Sequence, residues 1–316
     1  MAMPLVETKN LRKYFKTGAG MLHAVEDVNL KIMPGKTLGV VGESGCGKST
    51  LGRTILRLQP ATGGEVLYNG ENILKYRGKD MQKIHLNMQM VFQDPYSSLD
   101  PRMSVHNLIA EPVQVCGLLK TKAEINEHVR EIMDMCGLPA DQANLYPHEL
   151  DGGLRQRVGL ARAMAVSPKF IVCDEPVSAL DVSIQAQILN LLMDLQEQRE
   201  LSYMFITHDL CVVKHISDEI MVMYMGQVVE HAKTAELFAN PVHPYTKALL
   251  HAVPTIDLSR RNREGFMLRG EVTSPINPAP GCRFAPRCPY ATDKCKENVC
   301  LKEVSPDHFV ACSLCD

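Results

Sequence analysis

Residues 42–50 read Gly42-Glu43-Ser44-Gly45-Cys46-Gly47-Lys48-Ser49-Thr50 and follow the apolar run Thr37-Leu38-Gly39-Val40-Val41. A short apolar run that begins after the turn signal Pro34-Gly35 indicates a buried strand. Glycines let the following loop wrap closely around phosphate groups, which its backbone N–H groups and the start of the next helix contact. The pattern therefore predicts a P-loop, in which Lys48 reaches the β- and γ-phosphates and Ser49 holds Mg²⁺.

A second stretch, Ile171-Val172-Cys173-Asp174-Glu175, places two carboxylates at the end of an apolar run. We expect Asp174 to support Mg²⁺ opposite the P-loop and Glu175 to polarise an attacking water as a general base. Adjacent carboxylates are also common at solvated strand ends. It is the presence of a P-loop in the same chain that favours the catalytic interpretation.

Apolar runs and helical patterns alternate along much of the chain. Strand-type runs cover 170–173 and 203–206, and helical patterns cover 123–135 and 183–200. This alternation predicts an α/β fold with a parallel sheet. From about residue 101 to 165 the pattern turns helical, and this block is predicted to be an inserted subdomain. Prolines and cysteines multiply after Asn240, so we divide the chain into an α/β P-loop NTPase domain, 1–235, and a small Cys-rich extension, 236–316.

The composition argues against nucleic acid as a partner. The net charge is -2, the isoelectric point is about 6.6, and the chain has no Trp, so neither a basic face nor an abundance of stacking aromatics is expected. No apolar run has the length of a membrane span. The N-terminal residues lack the apolar stretch of a signal peptide. These features predict a cytosolic protein.

The cysteines are unevenly distributed. Five are scattered through the first 281 residues and six lie within 282–315: Cys282, Cys288, Cys295, Cys300, Cys312 and Cys315. A reducing compartment favours metal or cluster ligation over disulfides. Cys312-Ser313-Leu314-Cys315 is a CxxC pattern, which also suits zinc bound by four thiolates. Zinc is therefore the alternative to an iron–sulfur cluster, and Cys300 and Cys315 are alternative ligands.

Four further motifs stand in a characteristic order: Val91-Phe92-Gln93-Asp94-Pro95, Leu150-Asp151-Gly152-Gly153-Leu154-Arg155-Gln156-Arg157, Ser178-Ala179-Leu180-Asp181 and Ile206-Thr207-His208-Asp209. With the P-loop and Asp174-Glu175, they resemble the Q-loop, signature, D-loop and switch histidine of ABC ATPase domains over about residues 4–235. The resemblance implies that two such domains pair head to tail and trap two ATP molecules between them.

The resemblance also implies a role for each motif residue. Gln93 would sense Mg²⁺ and the water and relay to a membrane subunit, and His208 would hold the γ-phosphate. Asp181 would cross the dimer interface. An aromatic residue ahead of the first turn would stack on adenine; Phe15 aligns best, and Tyr14 is the alternative.

The signature departs from the family pattern Leu-Ser-Gly-Gly-Gln, because Asp151 replaces the serine and Leu154 the glutamine, while Gly152 and Gly153 are kept. Two unit charges about 4 Å apart repel by roughly 4 kcal/mol at an effective dielectric near 20, so Asp151 disfavours the partner's γ-phosphate. Aspartate caps a helix about as well as serine, so the fold should survive. We therefore predict an asymmetric pair, with the Lys48–Glu175 site intact and the site that receives Asp151 impaired. Protonation of Asp151 or a shifted geometry is the alternative.

The C-terminal stretches His243-Pro244-Tyr245-Thr246-Lys247-Ala248-Leu249-Leu250, Val253-Pro254 and Gly281-Cys282-Arg283-Phe284-Ala285-Pro286-Arg287-Cys288-Pro289-Tyr290 resemble the extension of oligopeptide/dipeptide permease ATPases. Residues 93–102 look like the F-type subunit. By this resemblance Cys282, Cys288, Cys295 and Cys312 ligate a structural [4Fe–4S] cluster, with four thiolates as its shell. The cluster would brace a segment that has few large apolar residues.

The resemblance implies ATP-driven peptide import from the cytoplasmic face of the membrane. The implied partners are a second, D-type ATPase subunit, two membrane-spanning permease subunits and, indirectly, an extracytoplasmic substrate-binding protein. A nickel or other small-solute importer is a second interpretation, because related systems share this ATPase type. A soluble ABC ATPase outside transport, or a regulatory subunit that scarcely hydrolyses ATP, completes the alternatives.

Overall fold

The computed structural model describes residues 3–253, 274–297 and 299–315. Pro254 of the predicted C-terminal motif lies outside the described residues. The strands are β1 (Val6–Thr17), β2 (Gly20–Ile32), β3 (Thr37–Val41), β4 (Gly63–Tyr68), β5 (Glu71–Asn72), β6 (Met88–Val91), β7 (Phe170–Asp174), β8 (Ser202–Ile206), β9 (Glu219–Tyr224), β10 (Gln227–Lys233), β11 (Lys302–Ser305) and β12 (His308–Val310). The α-helices are α1 (Lys48–Ile55), α2 (Gly78–Asn87), α3 (Pro95–Ser98), α4 (Val105–Val115), α5 (Lys122–Met135), α6 (Gly152–Met164), α7 (Val182–Arg199), α8 (Leu210–Ile216), α9 (Thr234–Ala239) and α10 (Pro244–His251).

The chain forms two compact units. The first unit comprises Met1–Met33, Thr37–Leu74 and Phe205–Asp316, and the second comprises Pro34–Lys36 and Lys75–Met204. The first unit therefore joins the N-terminal strands to the C-terminal extension, whereas the sequence suggested a division near residue 235. That boundary between an ATPase domain and an extension stays a prediction.

An antiparallel sheet in the order β2-β1-β4-β5 opens the first unit. β1 and β2 have 12 and 13 residues, longer than the short strands that the sequence indicated. Their pairing shifts register between Thr8 and Leu11 and again near Lys13. Such irregularities interrupt the alternation of apolar and polar residues, which explains why the sequence pattern showed only fragments of each strand.

A second set of strands in the first unit runs in the order β11-β12-β10-β9-β3. β3 and β9 are parallel, with Val40 opposite Met221, and the other pairs are antiparallel. All five residues of β3 are buried, as the apolar run predicted. An apolar cluster beside β9 and β10 takes in Tyr245 and Phe284, so these two residues of the extension pack into the core of the first unit.

The second unit is mainly helical, with a parallel pair of strands, β6 and β7. α4, α5 and α6 pack together within the block predicted to be helical. Thr121 and Glu124 form a capping box at the start of α5, a standard way to satisfy free N–H groups at a helix start. The strand predicted at 170–173 and the helix predicted at 183–200 are confirmed. In the described part of the chain, no helix combines the length and apolarity needed to cross a membrane.

Candidate nucleotide site

The predicted P-loop connects the end of β3 to the start of α1 in the first unit. Gly47 has φ of 105°, and a Cβ there would lie 2.0 Å from the carbonyl oxygen of Ala24. Gly42 has φ of 152°, and its Cβ would lie 2.2 Å from the carbonyl oxygen of Met223. Only glycine fits both the torsion angle and the space at these positions. Neighbouring backbone therefore sets the shape of the loop as much as its own sequence does.

Lys48 begins α1, and its side chain is turned into the loop. The buried residue donates from Nζ to the carbonyl oxygens of Gly42 at 2.7 Å and Glu43 at 3.1 Å. Ser49 and Thr50 follow in the first turn of the helix and are half-buried, whereas Ser44 and Gly45 at the loop tip are exposed. The ammonium group thus lies inside a loop whose tip is open to a ligand.

His208 leaves β8 next to the strand that carries the P-loop. Thr207 N–H donates to the carbonyl oxygen of Val40 at 3.2 Å. Asp209 caps α8 by accepting hydrogen bonds from the N–H groups of Cys211 and Val212. His208 is exposed between these two anchored neighbours. This placement is compatible with the predicted contact to a γ-phosphate.

The two candidates for adenine stacking are neighbours on β1 with different surroundings. Tyr14 stacks on His23 with 4.1 Å between ring centroids, and its hydroxyl donates to the Glu26 carboxylate. Burial, followed by this hydrogen bond, raises the pKa of Tyr14 to about 12. The Lys13 ammonium lies 4.5 Å from the ring centroid of Phe15. The choice of Phe15 over Tyr14 stays a prediction, which the stacked position of Tyr14 supports.

In the second unit, Asp174 ends β7 and is fully buried, and Glu175 follows it directly. Glu175 has φ of 47°, a left-handed conformation that costs a residue with a side chain about 1 kcal/mol or more. Gln93 Nε2 donates to Glu175 Oε2 at 2.9 Å. The structure therefore brings together the predicted Q-loop residue and the predicted general base.

The signature stretch begins α6, and the prediction that Asp151 would cap this helix is confirmed. Asp151 Oδ1 accepts a hydrogen bond from Leu154 N–H at 2.8 Å. Asp151 and Gly152 are exposed, and Gly153 is buried. The D-loop residue Asp181 caps α7 in the same way, accepting from Ile184 N–H at 3.0 Å.

The signature helix also contacts the segment that follows Gln93. The Arg155 guanidinium lies 4.4 Å from the ring centroid of Tyr96, and its Nε donates to the carbonyl oxygen of Pro147 at 2.6 Å. The Tyr96 ring is nevertheless largely exposed. Sequence motifs alone did not indicate this contact, because the stretches that contain Arg155 and Tyr96 give no information on which of their side chains meet.

The cysteines of the extension show partial convergence. Cys282 N–H donates to the carbonyl oxygen of Cys295 at 2.8 Å, and Cys295 Sγ lies 3.2 Å from Ser313 Oγ. Burial above all raises the pKa of Cys282 to about 11, with contributions from the thiols of Cys295 and Cys312. The same two thiols raise the pKa of Cys288 after burial.

The thiols of Cys282 and Cys288 are thus influenced by those of Cys295 and Cys312, which together are the four cysteines chosen by resemblance, and Cys300 is exposed. Within residues 3–253, 274–297 and 299–315, however, no group of three or more His, Cys, Asp or Glu side chains is arranged to hold a metal ion. The donor chemistry thus suits iron–sulfur or zinc ligation, but the side-chain geometry is not that of a formed ligand shell. Ligation by these cysteines stays a proposal.

Sequence reasoning did not find the contact between the C-terminal extension and the P-loop. The hydroxyl of Tyr245 accepts a hydrogen bond from Glu43 N–H at 2.9 Å. Arg287 donates to both carboxylate oxygens of Glu43, at 3.1 and 2.8 Å. In the sequence, both extension residues stand out only as members of stretches that resemble a known family. A buried arginine requires a nearby anion, but its partner, 244 residues earlier, is not encoded locally.

Comparison with known proteins agrees with this geometry. A family model for ABC transporters matches residues 25–178, and one for the oligopeptide/dipeptide transporter C-terminal region matches residues 229–295. The oligopeptide transport ATP-binding protein AppF of Bacillus subtilis is 47% identical over 98% of this chain and 97% of its own length. OppF of the same organism is 48% identical over 99% and 97%.

Solved structures support the fold. The dimeric ABC transporter cassette MJ0796 matches with a TM-score of 0.67 and 30% identity over 72% of this chain and 98% of its own. CbiO1 of Clostridium perfringens matches with the same TM-score and 26% identity over 75% and 92%. With near-complete coverage by relatives almost half identical, and with the P-loop and the Gln93–Glu175 pair in place, the chain belongs to the ATP-binding proteins of ABC transporters, in the oligopeptide/dipeptide transporter family.

Proposed function

We propose that the chain is the ATP-hydrolysing subunit of an ABC importer for di- and oligopeptides, bound peripherally at the cytoplasmic face of the membrane. The hydrogen bond from Gln93 to Glu175 is the main observation in support of ATP hydrolysis. It orients a carboxylate at a strand end, where Glu175 can accept a proton from water. The peptide part is supported by the match of residues 229–295 to the oligopeptide/dipeptide transporter region. It is also supported by relatives named as peptide import ATP-binding proteins.

The proposed chemistry is in-line attack of water on the γ-phosphorus of ATP. Glu175 accepts a proton from that water, the oxygen bonds to phosphorus, and ADP leaves. Lys48 and the P-loop N–H groups hold the phosphates, and His208 contacts the γ-phosphate. Ser49, Gln93 and Asp174 are the side chains that would hold or orient Mg²⁺, which neutralises phosphate charge when it is bound.

The proposed partners are a second, D-type ATPase subunit and two membrane-spanning permease subunits, with an extracytoplasmic binding protein delivering the substrate. Asp181 and the signature residues Asp151 and Gly152 are exposed, which leaves them accessible to a second ATPase subunit. Gln93 would relay nucleotide state to the membrane subunits. Because Asp151 adds negative charge to the signature, we propose that the ATP site it completes on the partner is the weaker of the two.

We further propose that Cys282, Cys288, Cys295 and Cys312 hold a structural [4Fe–4S] cluster, with zinc as the alternative. Iron, zinc and acid-labile sulfide measured on protein purified without oxygen decide between them. Cys288→Ser should lose the bound metal, and Cys300→Ser, an exposed cysteine outside the set, should keep it. Equal metal content in both variants, or none in the wild type, contradicts this proposal.

Reconstituted transport tests the function as a whole. The complete complex in vesicles, with the binding protein and ATP, should accumulate labelled peptide, and Lys48→Ala or Glu175→Gln should stop accumulation. Uptake of nickel instead of peptide would leave the ATPase assignment intact and overturn the substrate. ATP hydrolysis that persists unchanged in both variants would overturn the catalytic assignment.

A further inference from the structure

The C-terminal extension carries two arginines, Arg283 and Arg287, on either side of Phe284, which is buried. We propose that both are positioning residues of the nucleotide site: Arg287 holds and neutralises the P-loop, and Arg283 holds the strands that carry the base-stacking aromatic. The inference rests on the nucleotide site proposed above. It assigns the extension a part in nucleotide binding in addition to any metal that its cysteines bind.

Arg287 acts on Glu43, the second residue of the P-loop. The Arg287 side chain is only 8% exposed, and its Nη1 reaches both carboxylate oxygens. The same nitrogen lies 3.4 Å from the Tyr224 hydroxyl. A carboxylate within a loop that binds a polyanion repels that ligand unless a cation compensates it. Arg287 supplies this compensation and directs the Glu43 side chain towards the extension.

The backbone of Glu43 is held from the same side. Its N–H donates to the Tyr245 hydroxyl, and Tyr245 is completely buried. Tyr245 packs on Tyr224 and Phe284 with centroid separations of 4.8 and 5.4 Å. Aromatic rings at these distances pack with defined relative orientations. The extension therefore fixes one P-loop residue through both its backbone and its side chain.

Arg283 acts on the strand pair β1 and β2. Its side chain is 6% exposed, and Nη2 donates to Glu26 Oε2 at 2.8 Å. Glu26 also accepts the hydroxyl of Tyr14 and bonds to Nδ1 of His23. Arg283 is therefore the permanently charged partner in a cluster that orients Tyr14, the residue next to Phe15.

Both arginines act on one connected backbone frame. Gly226 N–H donates to the carbonyl oxygen of Cys46 in the P-loop, and Glu26 N–H donates to the carbonyl oxygen of Gly226, both at 2.8 Å. Arg283 donates to the carbonyl oxygen of Met225, one residue earlier. The extension is thereby connected to both parts of the proposed site, through Arg287 to the P-loop and through Arg283 to the strands proposed to hold adenine.

A double-mutant cycle on the purified full complex tests the role of Arg287, with the dissociation constant of fluorescent ATP as the readout. Arg287→Met should weaken ATP binding about tenfold in the wild-type background because Glu43 is left uncompensated. In the Glu43→Gln background the same change should cost less than threefold. A purely structural arginine would not show this rescue. An equal loss in both backgrounds, or no loss in either, overturns the proposal.

Two further variants keep this test decisive. Lys233→Met breaks an exposed ion pair with Asp307 in the extension and should leave ATP affinity unchanged. If Arg287→Met does not fold, Arg287→Lys is taken through the same cycle. Lysine reaches the carboxylate with a single ammonium, so a loss of about threefold is expected in the wild-type background and none in the Glu43→Gln background. Equal effects in the two backgrounds again overturn the role of Arg287.

Competition with Mg²⁺–tripolyphosphate, which has no base, separates the two arginines. Arg283→Gln should weaken ATP about fivefold and leave tripolyphosphate unchanged, whereas Arg287→Met should weaken both. Equal effects of Arg283→Gln on the two ligands overturn its base-side role.

Lys48→Ala checks the underlying site. If Lys48→Ala abolishes ATP binding while both arginine variants bind ATP normally, only the proposed role of the two arginines fails. If Lys48→Ala binds ATP normally, the proposed nucleotide site itself is wrong.

Discussion

Gln93 and Glu175, 82 positions apart in the sequence, are joined by a 2.9 Å hydrogen bond from the Gln93 amide to the Glu175 carboxylate. The bond uses one carboxylate oxygen of Glu175, whose backbone is itself held in a left-handed conformation at φ of 47°. Backbone strain at a single residue persists only where its surroundings support it. Glu175 is therefore held in place from two directions, by its backbone and by Gln93.

Replacing Glu175 should stop hydrolysis while ATP still binds. In the reconstituted complex, we expect Glu175→Gln to lower kcat for ATP at least about 100-fold, the usual contribution of a positioned general base. Glu197→Gln, an exposed glutamate on α7, is the matched control and should have no effect. The equivalent change in the partner should do little if the Asp151 site is the impaired one. Loss of hydrolysis only with the partner's change would reverse the assignment.

Restoring the family signature should raise turnover. Asp151→Ser with Leu154→Gln removes the carboxylate and returns a polar side chain, so we expect ATP hydrolysis by the complex to increase severalfold. Because serine also caps helices, the free energy of unfolding should change by less than about 0.5 kcal/mol. Asp151→Ala removes both charge and cap, and should lower that free energy by about 1 kcal/mol. Unchanged turnover in the restored variant would contradict the asymmetry.

A buried histidine should make stability depend on pH. Burial lowers the pKa of His243 to about 4, and its Nδ1 accepts the N–H of Tyr245 at the start of α10. Unfolding exposes the ring, whose pKa returns to about 6.5, so the unfolded chain binds more protons between these values. The contribution of neutral, buried His243 to the free energy of unfolding is therefore complete above pH 6.5. It is lost as the pH falls towards 4, which lowers the free energy of unfolding by up to about 3 kcal/mol.

Urea unfolding of the wild type and of His243→Asn between about pH 4.5 and 7.5 measures this effect. Asparagine keeps the cap but does not titrate, so the difference in free energy of unfolding between the two proteins should shrink as the pH falls. His251→Asn, at the other end of α10, is the control. Parallel profiles for the wild type and His243→Asn would show that His243 does not have a depressed pKa.

The two halves of the P-loop should respond differently to an added methyl group. Gly47→Ala would place its Cβ 2.0 Å from the Ala24 carbonyl oxygen, so we expect destabilisation of at least about 2 kcal/mol and loss of ATP binding. Gly45→Ala meets nothing within 4 Å at φ of 78°, and only the torsional cost of about 1 kcal/mol should appear. The unfolding temperatures of the two variants, measured with and without ATP, compare the stability and the ATP binding of Gly47→Ala and Gly45→Ala. Equal effects would mean that close backbone approach does not shape the loop.

The local features of the site were predictable because their causes lie within a few residues. The apolar run before Gly42 became a fully buried strand, and Lys48 begins the helix that follows the loop. Asp151 caps its helix three residues ahead of its donor. Such contacts depend on backbone geometry within about one helical turn, which short motifs encode directly.

The sequence by itself determined the P-loop, the order of the motifs and the capping of the signature helix. Only the tertiary structure decided that Arg287 pairs with Glu43, that Arg283 pairs with Glu26, and that Tyr14 stacks on His23. The two arginines lie 244 and 257 residues from their partners. Burial of Tyr245 and Phe284 in one apolar cluster brings these distant segments together. Each arginine then pairs with a glutamate, because a buried charge is stable only beside a compensating one.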